Sequence, residues 1–193
     1  MKEIILATGS PHRKKAFECL DIDFVTESSD VEEYFDGRPD DPNALVSHLA
    51  ELKAMSIAKN HKQGIIIGFD SVGWFEDRVL EKPKSREEAF GRLKSLSGRE
   101  HQFYTGIYMI DVGAGKVLSE VVKTDIMMRE VSEEEIDKYL DQDPNYNTYA
   151  LGYDPLGHYS CTFVERIEGS YNNFLRGIPL EKIVQMFWKL KQE

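Results

Sequence analysis

The chain has 193 residues, of which 41% are hydrophobic and 30% charged, with two cysteines and a formal charge of −10. That apolar share excludes wholesale disorder, and the length suits one buried core better than two independent domains. Two cysteines, Cys19 and Cys161, exclude a disulfide scaffold or a multi-cysteine zinc site, and no run approaches the roughly 18 apolar residues of a membrane helix.

The acidic balance argues against broad nucleic-acid binding, which needs a positive surface to neutralise phosphates. It leaves room for a small anionic substrate held by a few clustered cations. The opening residues to Leu6 are too short for a signal peptide's apolar region. Together these set the expectation of a cytoplasmic protein that binds neither nucleic acid nor membrane.

Glu3–Ala7 reads as a buried strand running into Thr8-Gly9, with Ser10 as helix N-cap and Pro11 at the first helical position. Backbone N–H groups at such a helix start favour an anion, and Arg13 and Lys14 add fixed charge. Cations there oppose the helix dipole, which suggests something negative to bind. The plainer alternative is a cap followed by solvated lysines. The run Ser28–Glu33 is either a solvated acidic face or a source of hard oxygen ligands for Mg²⁺. A second helix is expected near Asp41-Pro42, turning Leu45, Leu49 and Leu52 inward and leaving Lys53 beside the core face.

Ile65–Phe69 is a β-branched run expected to form a central strand that ends by delivering Asp70. There Asp70 could ligate metal, deprotonate a water or merely cap a turn. In Glu81-Lys82-Pro83-Lys84 the proline stiffens the backbone between two lysines that could meet phosphate. Ser85–Glu88 and Ser132–Glu135 are capping-box patterns, each predicting a helix. Between them, His101–Val112 and Val117–Met128 form two strands joined by Gly113–Lys116, a hairpin. Leu151–Gly157 is turn-rich and surrounded by Tyr146, Tyr149 and Tyr159, rings that either stack a base or pack the loop. From Pro179 a closing amphipathic helix is expected. The sum is a mixed α/β fold, one domain over 1–193, whose sheet contains a long antiparallel hairpin flanked by helices.

Some patterns fail. Gly113–Lys116 lacks the spacing of a P-loop, the five histidines show no zinc-site spacing, and no Gly-x-Ser-x-Gly elbow occurs.

Taken in order, the segments Ala7–Lys14, Val31–Glu33, Leu52–Ala54, Ile67–Ser71, Glu81–Lys84, Leu96–Gly98, Tyr104–Gly106, Arg129, Ile167–Tyr171 and Gly177–Leu180 resemble the Maf family of nucleoside triphosphate pyrophosphatases. The resemblance implies an α/β fold of two lobes around a cleft, shared with inosine triphosphate pyrophosphatases, and a homodimer. It implies hydrolysis between the α- and β-phosphorus of a nucleoside triphosphate, assisted by Mg²⁺ or another divalent cation such as Mn²⁺. Ser10, Arg13 and Lys14 would hold phosphate. Lys53, Lys82 and Lys84 would offset charge on the leaving pyrophosphate, Glu33 would ligate metal, and Asp70 would accept the proton of the attacking water or ligate metal itself.

The chain departs from the family where base choice is thought to be set. His12 stands in Ser10-Pro11-His12-Arg13 where Arg or Trp is usual. Ser71 follows Asp70 where the pyrimidine group has Thr and the methylguanosine group Gln. Leu156 falls where those groups carry Gln or Glu, and one extra residue separates Tyr171 from Gly177. Gly152-Tyr153-Asp154-Pro155 looks instead like a loop of inosine triphosphate pyrophosphatases. Removal of noncanonical or surplus nucleotides is therefore the first expectation. A purine-directed inosine or xanthosine triphosphate pyrophosphatase is its nearest alternative, and a non-catalytic nucleotide-binding regulator of cell division the third.

Overall fold

The computed structural model describes residues 2–191. Among the described residues, six α-helices and seven strands follow in the order β1 (Ile4–Ala7), α1 (Pro11–Phe17), β2 (Val25–Glu27), α2 (Pro42–Ala58), β3 (Ile65–Phe75), β4 (Arg78–Leu80), α3 (Arg86–Leu96), β5 (Glu100–Asp111), β6 (Lys116–Met128), α4 (Glu133–Gln142), β7 (Val164–Gly169), α5 (Tyr171–Arg176) and α6 (Leu180–Lys191). The strands form one mixed sheet in the order β2-β1-β3-β5-β6-β7, with β4 paired to β3. β1 runs parallel to β2 and β3, while β3–β4 and β6–β7 are antiparallel.

Two compact units divide the chain. The first holds residues 1–71, 105–122 and 176–193, and the second holds 72–104 and 123–175.

In the first unit, strand alternation sorts the core onto two faces. Ile4, Leu6, Ile67 and Phe69 pack with Ala16 and Phe17 of α1 and Ile183 and Met186 of α6. Ile5, Ala7 and Ile66 pack with Ala54, Ile57 and Ala58 of α2. Asp41 caps α2 by accepting from the Ala44 N–H at 2.8 Å, and Pro42 occupies the first turn, where its missing N–H costs nothing.

The approach of α2 to the sheet is set by two glycines. A Cβ on Gly68 of β3 would lie 2.1 Å from the Ala50 carbonyl oxygen, and one on Gly106 of β5 would lie 2.1 Å from the Val46 carbonyl oxygen. Helix backbone therefore rests on strand backbone, with no side chain between.

The second unit has its own core, in which α3 (Ala89, Leu93, Leu96) and α4 (Ile136, Tyr139, Leu140) meet Phe103, Ile126, Tyr153 and Phe163. Ser132 and Glu135 close a complete capping box at α4. At α3 the same pattern closes only by half: Ser85 accepts from the Glu88 N–H, but the Glu88 carboxylate takes the Lys84 N–H at 2.9 Å. Two of the rings beside the Leu151–Gly157 turn pack against the core. Tyr146 and Tyr159 lie against the core, and the Tyr159 hydroxyl donates to Glu135 at 2.9 Å.

One expectation is corrected. β3 does not end at Asp70 but runs on to Phe75, because Gly73, Trp74 and Phe75 pair with Leu80, Val79 and Arg78 across a two-residue turn. Glu76 and Asp77 both take positive φ there, 49° and 56°, as a type I′ turn demands. Asp70 thus lies within a strand.

Gly106→Ala is expected to destabilise the protein by about 3 kcal/mol in urea unfolding, the upper range for overpacking, because the new methyl meets immovable helix backbone. A loss under about 0.5 kcal/mol would mean that α2 can lift from the sheet.

Candidate active site

Gly68 and Asp70 are two residues apart on one strand and so face the same way, toward α2. Along α2, Ala50 and Ala54 contact the Gly68 position, and Lys53 shares their face of the helix. Its ammonium therefore reaches Asp70, with Lys53 Nζ 2.7 Å from Asp70 Oδ1. Glu33, from the polar segment before α2, brings Oε1 to 2.6 Å from the same Nζ. The side chains of Asp70 and Lys53 are 8% and 13% exposed, while that of Glu33 is 48% exposed, so the cluster opens to water on the Glu33 side.

Burial pushes the Asp70 carboxyl above its usual range. The Lys53 charge and hydrogen bond, then the Arg13 charge, pull it down, and Glu33 adds to the rise. The net direction is upward, which makes Asp70 a better proton acceptor than a solvated aspartate.

Ser71 faces the opposite side, toward α1 and α6. Arg13 donates there through all three guanidinium nitrogens: Nε to the Gly177 carbonyl at 3.0 Å, Nη1 to the Phe69 carbonyl at 3.2 Å and Nη2 to Ser71 Oγ at 2.7 Å. Ser71 accepts from Arg13, and its hydroxyl lies 2.7 Å from that of Thr105, a hydrogen bond in which either hydroxyl can donate. Burial lowers the Arg13 pKa, while Asp70 and Glu33 act to raise it. Its fork is aimed largely at protein acceptors.

Ser10 caps α1, taking the Arg13 N–H at 3.4 Å, and its own N–H donates to Thr8 Oγ1 at 3.1 Å. His12 and Lys14 are exposed. Because α1 has only seven residues, Lys14 also lies in its last turn, where a cation is favoured. The dipole argument for a bound anion therefore weakens in this helix.

The structure thus brings Ser10, Arg13, Glu33, Lys53, Asp70 and Ser71 into one unit. Lys82, Lys84 and Leu156 belong to the second. Both lysines are exposed beside buried Pro83, and exposed Leu156 follows a turn in which its N–H donates to Asp154 Oδ1 at 2.9 Å. Sequence reasoning missed Thr8, Thr105 and the Gly177 carbonyl as supports. Gly106, two residues after Tyr104 in a matched segment, was the available signal for close approach.

Among the described residues, no group of three His, Cys, Asp or Glu side chains gathers around a metal position. Two carboxylates, Glu33 and Asp70, converge on one cationic point. That donor set fits Mg²⁺, which takes one or two protein carboxylates and completes its shell with water and phosphate.

Residues 3–190 match the family described as Maf-like protein. The chain belongs to the Maf family. Among its relatives, a protein named dTTP/UTP pyrophosphatase from Thermoanaerobacter sp. (strain X514) is 38% identical over 99% of this chain and 96% of its own length. Another of that name from Bacillus cereus (strain G9842) is 36% identical over 100% and 96%. A HAM1 protein from Coxiella burnetii is 18% identical with a TM-score of 0.54, covering 98% of this chain and 100% of its own, which shows a shared fold. Within this Maf protein, the cluster of Asp70, Lys53 and Glu33 falls on the segments that carry the family resemblance.

A raised Asp70 pKa means that its ionisation penalises the fold at neutral pH. Asp70→Asn should melt at or above wild type at pH 8. The advantage should shrink as pH falls from the raised folded value toward the unfolded one, where both states are protonated. A variant that melts well below wild type at pH 8 would reverse that sign.

Proposed function

We propose that this Maf protein hydrolyses nucleoside triphosphates between the α- and β-phosphorus, releasing nucleoside monophosphate and pyrophosphate. dTTP and UTP are its first candidate substrates. The observation that carries the reading is the Asp70 carboxylate, buried, raised in pKa and held at 2.7 Å by Lys53. A binding protein has no use for a basic carboxylate kept at such a cost, whereas attack of water on phosphorus needs a proton acceptor.

In this reading Asp70 takes the proton of the attacking water, and Lys53 keeps Asp70 ionised and oriented. Glu33 and Asp70 would hold a divalent cation, which supplies charge neutralisation for the polyphosphate. Ser10, Arg13, Lys14, Lys82 and Lys84 keep the phosphate role that the family resemblance gives them, Arg13 through the positions it orders as well as its charge. The names of the relatives support pyrimidine substrates. So does position 71: Ser71 preserves the hydroxyl of the Asp-Thr pair usual in the pyrimidine group, and that hydroxyl is spent on Arg13 and Thr105. A single domain over 1–193 acting as a cytoplasmic homodimer belongs to the same reading. Light scattering and cell fractionation test the last two. No helix among the described residues is long and apolar enough to cross a membrane.

Pyrophosphate release should be measured for dTTP, UTP, CTP, the purine triphosphates and those of inosine and xanthosine, with Mg²⁺ and with chelator. Metal-dependent release from dTTP and UTP is expected, and release from inosine and xanthosine triphosphates alone would move the assignment to purines. Asp70→Asn should lower kcat at least about a hundredfold while nucleotide still raises its Tm. Equal rates for the two proteins would remove Asp70 from the chemistry. Nucleotide-dependent stabilisation of wild type without any turnover would favour the regulator.

A further inference from the structure

Lys82 stands on a short arch, Glu81–Lys84, between β4 and α3. Both ends of the arch are tied to one pair of side chains on α3, Glu88 and Arg92, four residues apart. The Glu81 carbonyl accepts from Arg92 Nη1, and the Lys84 N–H donates to Glu88 Oε2 at 2.9 Å. Glu88 Oε1 in turn accepts from Arg92 Nη2 at 3.2 Å.

The same Arg92 Nη1 reaches a second segment, donating to the Ala150 carbonyl at 3.1 Å, directly before Leu151-Gly152-Tyr153-Asp154-Pro155. The two segments also lie close together. A Cβ on Gly152, whose φ is +82°, would lie 3.6 Å from both Pro83 Cγ and Arg92 Cδ. Lys94 on the same helix is 59% exposed, whereas Arg92 is 9% exposed. A guanidinium sequestered in this way, with its fork on the main chain of two loops, is spent on holding backbone. Lysine, a point charge, cannot bridge the same acceptors, and losing the fork strands two carbonyls.

We propose that Arg92, seconded by Glu88, is a positioning residue that fixes the Lys82 arch and the Gly152–Pro155 turn as one piece. The ammonium of Lys82 is then presented to substrate phosphate from an already ordered backbone, and the entropy of ordering it is not charged to each turnover. The half-closed capping box at Ser85 is part of the device, because the Glu88 oxygen that would close it holds the Lys84 N–H instead. This inference rests on the catalytic reading above only for the role of Lys82.

The test compares wild type, R92K, E88Q, K82A and the R92K/K82A double variant in steady-state turnover of dTTP and UTP. Hydrogen exchange is followed separately in 81–84 and 150–155. R92K should lower kcat/KM by about 10- to 100-fold and raise exchange in both segments together, with E88Q affecting 81–84 more than 150–155. In the K82A background R92K should cost little more, since its effect passes through Lys82. An equal further loss in that background would mean a general structural role, and unchanged exchange in both segments would overturn the inference. If wild type shows no turnover, the catalytic reading fails. The exchange of the two segments in R92K then decides the positioning claim alone.

Discussion

The contact on which the site depends is bare backbone against bare backbone, α2 lying on β3 and β5 at Gly68 and Gly106. A helix normally stands off a sheet by the thickness of the side chains between them. Removing those side chains brings α2 so close that Lys53 reaches Asp70 at 2.7 Å while remaining mostly buried. The helix contributes in kind, since the positions that touch β3 are Ala50 and Ala54. Small residues on both partners make the approach possible, and the lysine among them is paired with the carboxylates of both Asp70 and Glu33.

That geometry also explains why the carboxylate stays basic. Two cations flank Asp70, Lys53 on its own face and Arg13 reaching the strand from the other, yet burial outweighs both and Glu33 adds its own repulsion. Arg13 does not spend its hydrogen bonds on Asp70. They go to Gly177, Phe69 and Ser71, so its charge acts at a distance while its fork orders the backbone around the site. A carboxylate raised in this way is kept ready for a proton.

Much of this frame was legible in the sequence, and the failures have physical causes. β1, the cap of α1, the start of α2 and the long hairpin follow from proline, cap residues and β-branched runs, which are local signals. The continuation of β3 past Asp70 was not legible. It depends on pairing with a three-residue strand through a turn made by Glu76 and Asp77, without the glycine that usually marks such a turn. β2 and β7 escaped because short or charge-rich strands carry little periodicity. The two capping-box patterns were indistinguishable as text, although only Ser132–Glu135 closes. The partner of Glu88 is the Lys84 N–H, and no spacing rule announces it. Glu33, Lys53 and Asp70 could each be named, but their convergence on a single point needed the depth of two glycines.

Asp70 and Ser71 are adjacent in sequence and separated by the thickness of a strand. The dipeptide is naturally read as a unit that varies with base preference, yet its two side chains serve different neighbours. Asp70 answers to α2 and the reacting end of the site, whereas Ser71 answers to Arg13 and Thr105. What position 71 must supply to that pair is one hydroxyl that accepts from a guanidinium and shares a hydrogen bond with a second hydroxyl. Serine and threonine both do so, and threonine adds only a methyl that suits a β-strand. A glutamine there would put an amide where the hydroxyl stands and change what Arg13 holds. Any effect of position 71 on base choice would therefore act through the placement of Arg13 and the strand it braces, rather than through contact between Ser71 and a base.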